Sequence, residues 1–262
     1  MSGSLVRYSA ADGIATLELC DPPANTYTHE MMRQLDEAIL TARFDPGVHV
    51  LVLRGNGEKF FCAGADIGMQ SKADPRYKYY FCLHANETLG RLEHTPKIVI
   101  AALNGHAVGG GLEIALAADV RVARRDGGKI GLPEVNLGVL PGTGGTQRLT
   151  RALGRARAFE LMALGTTLSV EQAHDVGLVQ HVFEADRFWD DVLAYARQFV
   201  PPGRASLAAG SIKRAVVSGA ECGFGEGLAL ERELQQRLFE SGDAAEGLAA
   251  YIEKRKPEFR GR

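Results

Sequence analysis

Residues 61–67 read Phe-Cys-Ala-Gly-Ala-Asp-Ile, and residues 104–113 read Asn-Gly-His-Ala-Val-Gly-Gly-Gly-Leu-Glu. Each stretch follows an apolar run, residues 51–53 and 98–103, and each sets small residues where a strand gives way to a helix. Small residues leave a backbone N–H open to a ligand, because no side chain crowds the approach. Two such N–H groups converging on one oxygen form an oxyanion hole, so the pattern predicts chemistry on a carbonyl whose oxygen gains negative charge. Glu113 closes the second stretch inside the apolar run Leu-Glu-Ile-Ala-Leu. A carboxylate there is costly to bury unless it is paired, hydrogen-bonded or functional. Glu134 follows Pro133 after the strand-like residues 129–131. If the two glutamates share one site, repulsion and desolvation raise one pKa, so that one holds a proton while the other stays ionised. Such a pair can activate a water and deliver a proton.

Each signal also has a plainer reading when taken singly. The glycines at 109–111 suit close packing of a helix on a sheet, and they lack the spacing of a dinucleotide fingerprint. Residues 142–146, Gly-Thr-Gly-Gly-Thr, lack the lysine of a phosphate loop and read with Pro141 as a tight turn before a helix at Gln147. A lone glutamate such as Glu134 is ordinarily a surface residue. His106, between Gly and Ala at a strand end, reads as structural, and Asp66 reads as a cap or turn residue. No His-Glu-x-x-His, calcium-loop or nucleophile-elbow pattern occurs, so no metal site is expected.

The chain has 262 residues, 45% hydrophobic and 24% charged, with net charge −2 and a pI near 6.4. A chain of this size buries roughly 70–75% of its unfolded surface and needs no staple to fold. With no long basic run outside the C-terminal tail, nucleic acid is not the expected partner. The N-terminus lacks the pattern of a signal peptide. Residues 98–118 are apolar, but Asn104, His106, Glu113 and a Gly triplet interrupt them, which suits a buried strand and helix rather than a membrane span. Cys20, Cys62, Cys82 and Cys222 form no Cys-x-x-Cys pair; they read as reduced, buried or half-buried thiols of a cytoplasmic protein, not as zinc ligands.

The elements that must position these residues follow from periodicity. Residues 6–8 and 14–19 alternate around Asp12-Gly13 as a β-hairpin. Thr28 can cap a helix to about residue 43, with Met31, Met32, Leu35, Ile39 and Leu40 as its stripe. Residues 48–54, 98–103 and 120–123 read as strands, 77–93 and 110–118 as helices, 66–75 as a loop and 126–128 as a turn. The rhythm is strand, strand, helix, repeated, with the two Gly-rich stretches at equivalent places. This predicts an α/β fold, a layered spiral of repeated ββα units. Beyond residue 150 helices dominate: residues 169–172 have capping-box spacing, residues 187–200 end at Pro201-Pro202, and residues 206–217, 225–240 and 244–255 complete the tail. The last two stripes have little local core to cover and suit a neighbouring subunit.

The segments 61–67 and 104–113, Pro133-Glu134, residues 138–149 (Gly-Val-Leu-Pro-Gly-Thr-Gly-Gly-Thr-Gln-Arg-Leu), 173–179 (Ala-His-Asp-Val-Gly-Leu-Val) and 253–259 (Glu-Lys-Arg-Lys-Pro-Glu-Phe) together resemble the crotonase superfamily over nearly the whole chain. The resemblance implies a CoA-thioester enzyme with a spiral ββα core over 1–200 and a C-terminal helical trimerisation region over 201–262, packed on the core and on neighbouring subunits. It implies a homotrimer or dimer of trimers and no cofactor, coenzyme A being part of the substrate. The oxyanion N–H groups would be those of Ala65 and Gly110, and both hydratase glutamates are present, as Glu113 and Glu134. Many relatives with other reactions keep only one, so the chain looks like an enoyl-CoA hydratase, adding water to a trans-2-enoyl-CoA. Ala24, Ala63, Asp66, Ile67 and Lys254 would bind the CoA ester, Lys254 reaching it from an adjacent subunit. Three features depart from the pattern. Gly68 stands where hydratases often carry lysine, the turn 124–129 is a residue longer, and Thr26 replaces a common alanine. Double-bond isomerisation, hydration of a branched, cyclic or aromatic acyl-CoA, and non-catalytic CoA binding are the competing readings.

Overall fold

The computed structural model describes residues 3–262. The chain runs β1 (Val6–Ala11), β2 (Ile14–Leu19), α1 (His29–Phe44), β3 (Val50–Gly55), β4 (Phe60–Cys62), α2 (Ile67–Gln70), α3 (Pro75–Glu93), β5 (Ile98–Leu103), β6 (His106–Val108), α4 (Gly110–Leu116), β7 (Val120–Arg124) and β8 (Lys129–Gly131). Then come α5 (Gly145–Leu153), α6 (Arg155–Leu164), β9 (Thr167–Ser169), α7 (Val170–Asp175), β10 (His181–Phe183), α8 (Phe188–Ala196), α9 (Ser206–Gly219), α10 (Phe224–Phe239) and α11 (Gly242–Glu253).

Local signals account for most boundaries. Asp12, with φ of 51°, and Gly13, with φ of 79°, turn the β1–β2 hairpin, which pairs Val6 with Leu19. The Thr28 hydroxyl accepts from the Met31 N–H at the start of α1, and Ser169 and Gln172 form the reciprocal capping box of α7.

The spiral shows in how strands are shared between two sheets. One sheet has the order β1-β2-β3-β5-β7-β10, and the other β4-β6-β8-β9. In each repeat the first strand enters the large sheet and the second the small one: β3 then β4, β5 then β6, β7 then β8. All neighbours in β2-β3-β5-β7 and in β4-β6-β8 are parallel. The three repeats therefore deliver their chain exits side by side, at the same end of the small sheet.

Alternation divides the large sheet into two buried faces. Leu17, Leu19, Leu51, Leu53, Val99, Ala101 and Leu103 enter the main core with Met31, Leu35, Leu89 and Leu112. Ile14, Val50, Val52, Ile100 and Val122 face the other way, onto Phe188, Val192 and Ala196 of α8. Two differences from the sequence reading stand out. The stretch 66–75 is not all loop, because Asp66 Oδ1 takes the Met69 N–H at 2.5 Å and starts α2. Of the four thiols, all free, Cys222 is exposed rather than buried, because it lies in the turn between α9 and α10.

The C-terminal helices are tied to the core by a buried ion pair. Lys213 Nζ of α9 lies 2.9 Å from Asp119 Oδ2 and 3.0 Å from the Lys97 carbonyl, and its side chain is 3% exposed. Asp119 also takes the Val99 N–H at 2.7 Å. Burial pulls the Lys213 ammonium down and pushes the Asp119 carboxyl up, so each charge depends on the other to stay ionised. Lys213→Met strands Asp119 without its partner, and the expected loss is about 3–5 kcal/mol. A lowered urea midpoint by circular dichroism checks this; an unmoved midpoint contradicts it.

Candidate active site

The exits of β4, β6 and β8 build the site. After β4 the chain pairs with residues 24–27: Ala63 N–H donates to Ala24 O (3.0 Å), Tyr27 N–H to Gly64 O (2.9 Å) and Asp66 N–H to Tyr27 O (3.1 Å). Buried Asn25 pins this ribbon, its Nδ2 donating to the carbonyls of Asn56 (2.9 Å) and Phe60 (3.0 Å). These bonds use the amides on either side of Ala65 and leave its own N–H pointing away from residues 24–27. After β6, Gly109 adopts φ of 56° and ψ of −134°, and Gly110 becomes the first residue of α4. An N–H in the first turn of a helix has no carbonyl a turn earlier to bond. Among the described residues neither the Ala65 nor the Gly110 amide has an acceptor. The two segments touch, since a Cβ on Gly64 would lie 3.0 Å from Gly110 N. Gly110 must itself be glycine for packing, because a Cβ there would strike the Tyr27 ring and hydroxyl.

A cavity of about 300 Å³ opens on these amides. Ala63, Ala65, Ile67, Gly110, Glu113 and Glu134 all line it. Ala24 and Asp66 do not; they hold Ala63 and α2 from behind. Lys254 is exposed at the C-terminal cap of α11 and does not line the cavity of its own chain. His106 is structural: its Nδ1 accepts the Lys129 N–H at 2.9 Å, which anchors the longer turn before β8. That turn leaves Glu134 on the cavity.

The two carboxylates stand in different surroundings. Glu113, 2% exposed, projects from α4 into the turn before α5. Its Oε1 accepts the N–H groups of Thr143 (2.7 Å) and Gly145 (2.8 Å), and its Oε2 accepts the Thr143 hydroxyl. Three donors hold it as an acceptor. Tyr27 Oη stands 3.3 Å from Thr143 Oγ1 and extends the network beneath Gly110. Arg148 fastens the same turn, reaching Thr143 O at 3.3 Å and Glu93 at 2.7 Å. Glu134 comes from the short helical turn after β8, with its Oε1 over Gly109 and its Oε2 buried without a hydrogen-bond partner among the described residues. Desolvation pushes its carboxyl up to about 7 against the pull of its own backbone amide, with smaller contributions upward from the charge of Glu113 and downward from Lys78. One carboxylate is thus locked by donors, and the other is free to carry a proton near neutral pH.

Several lining residues were not singled out in the sequence. Thr143 and Tyr27 meet across 116 positions, which no local pattern announces. Pro133, Asn136, Leu137, Val139 and Leu140 form one wall of the cavity, and residues 68–95 supply part of another. From that longer stretch Gln70, Lys78 and Cys82 reach the cavity. The turn at 141–145 was legible as a turn, and the unpaired amides that a turn leaves were the available signal for a carboxylate partner. Among the described residues no cluster of three His, Cys, Asp or Glu could hold a metal ion.

Fold and cavity define a chain of the crotonase class. The chain belongs to the enoyl-CoA hydratase/isomerase family, whose model matches residues 9–262. It is 37% identical over 250 residues to a "Probable enoyl-CoA hydratase" of Bacillus subtilis (strain 168), covering 95% of each chain. It is 41% identical over 218 residues to "Enoyl-CoA isomerase/hydratase fer4" of Mycosarcoma maydis, covering 83% of this chain and 78% of that one. The "Enoyl-CoA hydrates" crystal structure from Geobacillus kaustophilus HTA426 superposes with a TM-score of 0.96 at 43% identity, covering 100% of this chain and 98% of that one.

Proposed function

We infer that this chain is an enoyl-CoA hydratase, catalysing reversible syn addition of water to the 2,3 double bond of a trans-2-enoyl-CoA. The observation that carries this reading is that Glu113 and Glu134 share one cavity with the amides of Ala65 and Gly110. The thioester oxygen would accept from both amides, which stabilise the enolate-like charge as water attacks C3. Glu113 takes a proton from the water as its oxygen bonds to C3. Glu134 gives its proton to C2 as the double bond closes. Glu113 is left protonated by the water and Glu134 ionised, and exchange with solvent resets both. Isomerisation, named for the fer4 relative, needs one base and no attacking water; the second carboxylate favours hydration. A panel of enoyl-CoA esters followed by mass spectrometry separates the readings: a hydrated product supports this one, and a product of unchanged mass with a shifted double bond rejects it.

The raised Glu134 carboxyl gives a pH dependence. It must be protonated to act as acid, so kcat/KM for hydration is expected to fall as pH rises through about 7. Dehydration of the 3-hydroxy ester uses the same singly protonated pair with the proton on Glu113, and because the net reaction releases no proton its kcat/KM is expected to follow the same profile. A hydration profile still rising above neutrality contradicts the assignment.

For assembly, a trimer or dimer of trimers is the reading that the exposed apolar side chains support. Phe224, Phe239, Tyr251 and Ile252 of α10 and α11 are all more than two-thirds exposed in the single chain. Light scattering is expected to give a multiple of three chains, and a stable monomer rejects this. Lys254→Ala is expected to raise the Kd for CoA esters by reaching a neighbouring subunit's site; an unaltered Kd rejects that contact. Among the described residues no helix is long and apolar enough to cross a membrane, and the free thiols support a reducing, cytoplasmic setting.

A further inference from the structure

We propose that the acyl pocket selects short enoyl groups bearing a carboxylate at their far end, recognised by the ammonium of Lys78. This rests on the hydratase reading and names its substrate class.

Lys78 and Cys82 lie four residues apart on α3 and both line the cavity, as neighbours on one helical face do. Cys82 borders the turn that grips Glu113, since a Cβ on Gly142 would lie 3.1 Å from its Sγ. This face therefore adjoins the double-bond end of the cavity. Leu137, Val139 and Leu140 give the cavity an apolar wall.

Lys78 is half-buried and lacks a counter-ion. Its Nζ lies 2.5 Å from the neutral Gln70 Oε1 and 5.4 Å from the centroid of the Phe81 ring. Among the described residues it forms no ion pair. Gln70 is in turn tethered, its Nε2 donating to Ala65 O at 3.3 Å. The ammonium is thus held, through Gln70, on a wall that includes the segment of Ala65. An ammonium has three donors; one goes to Gln70, and the Cys82 sulfur stands within reach of another. Glu134, which shares the cavity, carries only part of a negative charge at neutral pH, because its carboxyl is pushed up to about 7, and it forms no ion pair with Lys78. A cation partly withdrawn from water without an ion-pair partner is unfavourable unless a ligand completes it. A substrate carboxylate does so.

The test compares trans-glutaconyl-CoA with trans-2-pentenoyl-CoA, five-carbon esters that differ in a terminal carboxylate against a methyl. The wild-type ratio of kcat/KM is expected to favour glutaconyl-CoA by about tenfold or more, the range of one charge-assisted hydrogen bond. Lys78→Met is expected to lower that ratio by about tenfold or more, while Lys78→Arg keeps its sense. If Lys78→Met does not fold, Lys78→Gln carries the same comparison. Calorimetry with the saturated glutaryl-CoA and pentanoyl-CoA gives a second arm that needs no chemistry, and glutaryl-CoA is expected to bind more tightly. A wild-type ratio at or below one, with pentenoyl-CoA still hydrated, overturns the selectivity and leaves the hydratase reading standing. A ratio unaltered in the Lys78 variants, or an equal loss on both esters, also overturns it, placing Lys78 against the shared CoA portion. Preferential binding of glutaryl-CoA with neither enoyl ester hydrated supports the subsite and rejects the hydratase reading.

Discussion

Glu113→Gln and Glu134→Gln are each expected to lower kcat for hydration by about a hundred- to ten-thousand-fold, the span of general acid–base catalysis. The two should fail for different reasons. A glutamine at 113 keeps an oxygen for the Thr143 and Gly145 amides, and its NH2 meets the Thr143 hydroxyl, which can turn to accept and donate toward Tyr27 instead. The fold should therefore survive while the base is lost. A glutamine at 134 loses the transferable proton at a position where Oε2 has no partner to disturb. The folded state of the native chain holds the Glu134 proton to about pH 7, above the range where an unfolded glutamate releases it. Between those two values the folded state binds more protons, so this group makes stability fall as pH rises, and Glu134→Gln should flatten that slope. Steady-state kinetics with circular dichroism as the folding control checks both variants. Near-native turnover in either one contradicts the two-carboxylate mechanism.

Gly110→Pro is expected to lower kcat by about a hundred- to a thousand-fold, the worth of one oxyanion donor, with a smaller change in the Kd of a saturated acyl-CoA. Proline is tolerated at the first position of a helix and removes the N–H outright. Its ring also presses toward Tyr27, so Gly110→Ala serves as the companion: it keeps the N–H and adds the Cβ that meets the same ring. Proline should be the more damaging to kcat. Equal losses in the two variants would trace the effect to Tyr27 displacement rather than to the missing donor.

Where the physics was local, the sequence disclosed the structure. The Asp12-Gly13 turn, the Thr28 cap and the 169–172 capping box depend on side chains within four residues, and each formed as expected. The Gly-rich stretches were legible as sites because glycine is rarely set at a strand exit without a reason. Their immediate supports were not: β4 and β6 are three residues each, too short for alternation to register, and they intervene between the long strands and the stretches. The pair Glu113 and Glu134 stood out by type, yet their division of labour comes from tertiary neighbours. Thr143 and Gly145 reach Glu113 from 30 and 32 positions away. Burial without a partner, which sets the Glu134 carboxyl apart, is a property of the assembled cavity and of no segment alone. The wall at 136–140 was hidden because its apolar side chains, Leu137 at 62% and Leu140 at 68% exposed, line an open cavity rather than a core.

If Glu113, Glu134 and the two amides together add water to an enoyl thioester, the oxygen of the product's new hydroxyl comes from solvent. Incubating the protein with trans-2-butenoyl-CoA in oxygen-18 water and analysing the product by mass spectrometry tests it most directly. The predicted result is a 3-hydroxybutanoyl-CoA heavier by one molecule of labelled water, with the label on C3, formed by the native chain and not by Glu113→Gln. An ester of unchanged mass, or label appearing only in a free acid released by thioester hydrolysis, would contradict it.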